Sequence, residues 1–157
     1  MIAGTTGAGK TALIRSLLQQ ASEAIYLSPE RIVWCYLQWQ PAYTEMLVAI
    51  PHIEFVKGIP TALEQDYYFD VNKRNLIVFD DQMIDTSKDK RIVNLFTFGS
   101  HHRNLSVIYI VQNLFHQGKG SHSISLKSHY LVLFKDPRDK LQILTLDKQM
   151  YPGQTYF

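Results

Sequence analysis

The chain has 157 residues, nearly half of them hydrophobic (46%), and a formal net charge of +2. That is one domain's worth of sequence with enough apolar surface for a core, and a near-balanced charge excludes a wholesale polybasic nucleic-acid binder. The only cysteine is Cys35, so an internal disulfide is excluded and a reducing compartment is expected. There is no signal-peptide pattern, no apolar run near the ~20 residues of a membrane span, and no internal repeat.

Residues 1–3 are a vestigial strand in front of Gly4-Thr5-Thr6-Gly7-Ala8-Gly9-Lys10-Thr11, which fits the phosphate-loop pattern G-x-x-x-x-G-K-[ST]. Leu13/Leu17 and Ile14/Leu18 lie four apart, which predicts a helix over 10–22. "RIVWCYL" (31–37) reads as a strand, "QWQPAYTEM" is broken at Pro41, and "IEFVKG" (53–58) is a short edge strand ended by Gly58. "NLIVFDD" (75–81) is an apolar run closed by two acids, the pattern of a parallel strand covered on both faces. A helix is expected over 88–100 with Gly99 as its stop. Buried strands are expected over 105–113 and 129–135, and a last helix opens at "DPRD" and runs to about Met150. Strands alternating with helices predict a parallel sheet with helices on both faces, in a single domain over 1–157.

In such a sheet the chemistry gathers beyond the carboxyl ends of the strands. Gly4, Gly7 and Gly9 let the backbone curl so that N–H groups face a phosphate, with Ala8 between them, and the helix start adds its positive dipole end. Lys10 is placed to reach the terminal phosphates of ATP, and Thr11 offers a hydroxyl to Mg²⁺. Asp80 ends a Walker B strand and would hold Mg²⁺; Asp81, one step on, would activate the attacking water. Gln112, at the tip of the next strand, suits a sensor of the γ-phosphate, since an amide works at any pH. Arg103 is the arginine-finger candidate, acting in trans, with Arg74 and Arg138 behind it. His101 and His102 lack metal-ligand spacing and read as surface or interface residues. The stretch 116–129 carries Lys119, Lys127 and flexible glycines, and reads either as a DNA-backbone contact or as a solvated loop.

The order of phosphate loop, extra strand, acid pair and glutamine-tipped strand resembles the additional-strand ATPases, and in detail the FtsK–HerA superfamily. "GTTGAGKT", "LIVFDD", "FTFGSHHRNLSVIYIVQNLFHQGK" and "SHYLVLFKDPRD" look most like the genome-packaging ATPases of double-stranded DNA viruses and Polinton-type elements. The resemblance implies a three-layer P-loop NTPase fold of strand order 5-1-4-3-2 with a truncated first strand. It implies a fuller strand before the phosphate loop and more chain after "QMYPG" in the relatives. It also implies a homo-oligomeric ring that hydrolyses ATP with Mg²⁺ to move double-stranded DNA, with a capsid or portal protein as partner. The location implied is the cytoplasm or nucleus of a host cell, or the capsid, without a membrane. Many members carry glutamate where Asp81 stands. Two other readings remain from the residues: a P-loop kinase for a small molecule, and a non-catalytic assembly module that retains the site as a relic.

Overall fold

The computed structural model describes residues 1–80, 89–96, 103–113, 119–135 and 140–151. They form an α/β structure around a six-stranded sheet of order β3-β2-β4-β5-β1-β6, in which every described pair is parallel. The strands are β1 (Ile2–Ala3), β2 (Arg31–Tyr36), β3 (Ile53–Lys57), β4 (Asn75–Phe79), β5 (Leu105–Val111) and β6 (Val132–Leu133). Read from the other edge the order is β6-β1-β5-β4-β2-β3; with β3 set aside and the other five strands counted in chain order this is the expected 5-1-4-3-2, and β3 adds a further edge strand beyond β2.

The helices are α1 (Lys10–Gln19), α2 (Ala21–Ala24), α3 (Pro41–Ala49), α4 (Lys90–Asn94), α5 (Lys119–Lys127) and α6 (Lys140–Met150). Strand side chains alternate between the two faces, and the core divides accordingly. Ile32, Trp34, Leu76 and Val78 pack with Ile14 and Leu18 of α1 and with Tyr43 and Met46 of α3. Val33, Cys35, Ile77 and Phe79 pack on the other face with Ile92 of α4 and Ile124 of α5. This is the three-layer arrangement anticipated from the alternation of strands and helices. Burial, and after it the nearby Glu54 carboxylate, push the Cys35 thiol up to about 12, so it stays protonated and inert within the core.

Several local expectations are corrected. The single helix over 10–22 is two, because the backbone at Gln20 leaves helical geometry (φ −106°, ψ 24°). Pro41 does not break a segment but opens α3: proline suits the first helical position, where its missing N–H is no loss. The stretch 116–129 is largely helix rather than loop, since α5 covers Lys119–Lys127. Ile124, fully buried, anchors α5 against the sheet, and tertiary packing overrides the weak helix propensity of its glycine and serines. Gly99, His101, His102 and the cap at 136–139 lie outside the described residues.

β1 has only two residues, yet it sits inside the sheet and pairs on both sides. Backbone hydrogen bonds prolong its ladders: Val132 N–H donates to Met1 O (3.0 Å), Phe134 N–H to Ala3 O (2.8 Å) and Gly4 N–H to Val111 O (3.2 Å). Phe134 thereby lies against the start of the phosphate loop. A Cβ on Gly4 would stand 2.6 Å from the Phe134 Cβ, a contact no repacking of a ring tip can relieve. Gly4→Ala should therefore lower stability by about 1–3 kcal/mol, the usual cost of overpacking. A urea melt reads this as a lower midpoint with an unchanged slope.

Candidate functional site: a glycine loop, a buried aspartate and a glutamine on one rim

Because all the pairs are parallel, the carboxyl ends of β1, β4 and β5 share one rim of the sheet. The register sets their heights. Ala3 lies beside Val111 and Phe79 beside Tyr109, so Asp80 comes level with Ile110, and Gly4 with Gln112. β5 runs between β4 and β1, which puts the strands bearing Asp80 and Gly4 about 10 Å apart, two strand spacings, with exposed Gln112 at the tip between them.

The loop itself has the geometry that its glycines permit. Gly7 and Gly9 take left-handed conformations (φ 79° and 97°), and Ala8 N–H turns back to Thr5 O (3.1 Å). Gly9 is the N-cap of α1, and its carbonyl accepts from Leu13 N–H (2.9 Å). Half-buried Thr11 lies in the first turn of the helix, at the positive end of its dipole, which favours an anion. The Lys10 ammonium is buried, and Nζ donates to Gly4 O (2.6 Å) and Thr5 O (3.0 Å). A buried cation needs such partners, and these hold it inside the curl of the loop.

Asp80 is 1% exposed and continues the β4 ladder, its N–H donating to Cys35 O (3.1 Å). Its carboxylate Oδ2 accepts from Trp34 Nε1–H (3.3 Å) and from the Tyr43 hydroxyl. Both donors are fully buried. Tyr43 is fixed in turn by aromatic neighbours, stacking on Phe55 (centroids 4.9 Å apart) and meeting Trp39 edge-on (5.5 Å). Sequence reasoning misses this clamp, because "QWQPAYTEM" reads as an interruption. The signal that could have found it is Pro41 at a helix start, which puts Tyr43 on the first turn of α3, above the sheet.

A hard divalent cation takes oxygen ligands and keeps several waters. The Asp80 carboxylate and the Thr11 hydroxyl have that chemistry and would hold Mg²⁺ between them and the phosphates. No cluster of three or more His, Cys, Asp or Glu side chains suited to a metal occurs among the described residues. Asp81 lies outside them.

Arg103 is not at this rim. It precedes β5, at the opposite end of the strand, and its guanidinium donates to Leu63 O (2.7 Å) and Glu64 O (2.9 Å) and meets Asp66 at 3.5 Å. With its side chain 16% exposed, it clamps the β3–β4 connection of its own chain, a use different from the trans finger anticipated. Arg74 is likewise held within its chain, by Ser28 O (2.8 Å) and Glu30 (3.3 Å). Arg138 lies outside the described residues.

These contacts predict the effect of two substitutions. Tyr43→Phe keeps the ring and its packing but removes a donor from a buried carboxylate, so stability should fall by about 1.5–3 kcal/mol. Replacing Phe55 by leucine, which leaves that hydrogen bond intact, provides the comparison in the same calorimetric melt. Arg103→Ala should cost about 1–3 kcal/mol through two lost charge-assisted bonds to backbone carbonyls, and it should do so at protein concentrations too low for any assembly.

No protein-family model matches this chain, and no curated protein matches it. Solved structures do. The cytoplasmic domain of EssC superposes with a TM-score of 0.59 at 14% identity, over 99% of this chain and 36% of that one. Thermomonospora curvata EccC (ATPases 2 and 3), in complex with a signal sequence peptide, superposes with a TM-score of 0.52 at 14% identity, over 88% of this chain and 30% of that one. This chain spans about a third of the length of each. Likeness at this identity establishes the fold: an α/β sheet of the kind that carries the ATPases of EccC.

Proposed function

We propose that the chain is an ATP-hydrolysing P-loop domain of the FtsK–HerA type, working in a ring to move double-stranded DNA, as in viral genome packaging. The observation that carries the ATPase reading is the meeting of the glycine loop, buried Asp80 and Gln112 on one sheet rim. The loop N–H groups and the start of α1 bind the phosphates, and the Lys10 ammonium, already desolvated, adds a fixed positive charge beside them. Trp34 and Tyr43 hold the Asp80 carboxylate in one orientation toward the cation site. Mg²⁺, when bound, supplies neutralisation of charge on the phosphate oxygens. Gln112 orients the attacking water through its amide, and Asp81, the next residue after Asp80, takes the water's proton.

The superfamily resemblance, in "SHHRNLSVIYIVQNLF" and the acid pair, supports DNA as the substrate over a small-molecule acceptor. A second reading has its own support. The EccC structure of the same fold is in complex with a signal sequence peptide, which favours a polypeptide as the moved substrate.

Phosphate release with Mg-ATP tests the proposal. Hydrolysis should rise on adding duplex DNA, and Lys10→Ala should lower it about a hundredfold or more, the scale of losing a pre-placed charge at developing anionic oxygens. Asp80→Asn should weaken the Mg²⁺ dependence. Stimulation by a signal-type peptide and not by DNA would select the second reading. Hydrolysis unaffected by Lys10→Ala would contradict both.

A further inference from the structure

A nucleoside triphosphate has two ends, and the strand order tells them apart. Asp80 and Gln112, which would act at the γ end, follow β4 and β5. Both strands lie on one side of β1, in the order β4-β5-β1-β6. The glycine loop that would cradle the phosphate chain follows β1 itself. A nucleotide with its γ-phosphate toward β5 and β4 therefore carries its nucleoside out over β6.

Phe134 stands at the carboxyl end of β6. Ala3 pairs with Leu133, and Phe134 N–H donates to Ala3 O (2.8 Å), so Phe134 comes level with Gly4 on the phosphate-loop rim. Its side chain runs alongside the glycine curl. A Cβ on Gly4 would lie 2.6 Å from the Phe134 Cβ, and a Cβ on Gly9 would lie 3.7 Å from its ring atom Cε1. The stem thus meets the start of the loop, and the ring edge meets its end, where Gly9 caps α1. Phe134 packs on the cluster that contains Ile14 and Leu18 of α1, but it is only partly buried and keeps accessible surface.

A planar ring with accessible surface beside a phosphate site has the chemistry to receive a nucleobase. Every base has a π-face, and stacking needs no hydrogen-bond partner. Trp39 is a more exposed aromatic beyond the same ends of the strands, at 47%. It follows β2, however, three strand spacings or about 14 Å from β1, on the side of Asp80. A base stacked there would turn the γ-phosphate away from Asp80 and Gln112.

We propose that Phe134 is the nucleobase platform of this site: the base of ATP stacks on its ring while the glycine loop holds the phosphates. Because the same side chain touches the loop at both ends, base and phosphates are held by one continuous surface. This assignment rests on the ATP-binding reading and adds to it the subsite for the base.

Two ligands separate the base from the phosphates: a non-hydrolysable ATP analogue and inorganic tripolyphosphate, each titrated calorimetrically with Mg²⁺. Phe134→Leu keeps the Cβ beside Gly4 and removes the ring. It should weaken the ATP analogue about tenfold, the scale of one base–aromatic stack, and tripolyphosphate by less than about twofold. Tyr130→Leu removes an exposed aromatic side chain from the segment that enters β6, at the opposite rim, and should change neither affinity. In the unchanged chain, the Phe134 ring protons should show nuclear Overhauser contacts to adenine H2 or H8 of the bound analogue, a readout independent of how the variant folds. Equal weakening of both ligands by Phe134→Leu would make the ring a wedge for the loop alone and overturn the proposal. Unchanged affinity of that variant for the analogue, or adenine contacts to Trp39 in place of Phe134, would overturn it too. In each of those cases tripolyphosphate binding by the unchanged chain leaves the phosphate-loop reading standing, whereas an unchanged chain that binds neither ligand overturns both.

Discussion

The hydrogen bond from Gly4 N–H to Val111 O is the joint on which the site depends. It is where the phosphate loop leaves the sheet, and it fixes the loop's height against the tip of β5. A glycine loop without a strand behind it is a flexible turn; a loop whose first residue is a rung of a parallel ladder has a direction. β1 holds that direction with two residues because it lies between β5 and β6 and pairs with both. Phe134 closes the remaining space, which is why position 4 has no room for a Cβ.

From that joint the electrostatics of the rim are built. Burying a charge is expensive unless partners are in place, and among the described residues Lys10 and Asp80 are buried charges. The Lys10 ammonium is received by carbonyls of the loop it serves. The Asp80 carboxylate is received by Trp34 and Tyr43, which come from β2 and α3 and not from the phosphate-loop region. The aromatic cluster around Tyr43 thus does more than fill the core: its packing sets the orientation of a carboxylate. The sheet also separates tasks by rim. The carboxyl ends of the strands carry the glycine loop and the buried Asp80, while at the amino ends Arg103 and Arg74 tie down connections of their own chain.

The parts legible in the sequence are those with a strict local signature. The phosphate loop is set by its glycine spacing and lysine. β4 and β5 are near-continuous apolar runs ending in polar residues, and a strand covered on both faces leaves few other patterns. The strand order comes from a resemblance rather than from periodicity, and it holds, with β3 added at the edge. The illegible parts depend on contacts distant in sequence. Asp80 and Tyr43 are 37 positions apart, and no local rule joins them. The start of α3 is ambiguous in the sequence because proline is both a helix breaker and a good first residue, and only the residues after Pro41 decide between the two. α5 has glycine and serine like a loop, and only the burial of Ile124 makes it a helix. Arg103 looks free in the sequence, which shows a charge but not the carbonyls that occupy it.

The central claim is spatial: one triphosphate touches the glycine loop, the end of β4 and the tip of β5 together. Amide chemical-shift mapping during titration with Mg²⁺ and a non-hydrolysable ATP analogue tests it most directly. The account predicts that Gly7, Gly9, Lys10 and Thr11 shift in step with Asp80 and Gln112, all along one binding curve, while Arg103 and Asn104 at the opposite rim stay still. Shifts centred on the Arg103 rim, or loop shifts that leave Asp80 and Gln112 unmoved at saturation, would contradict it.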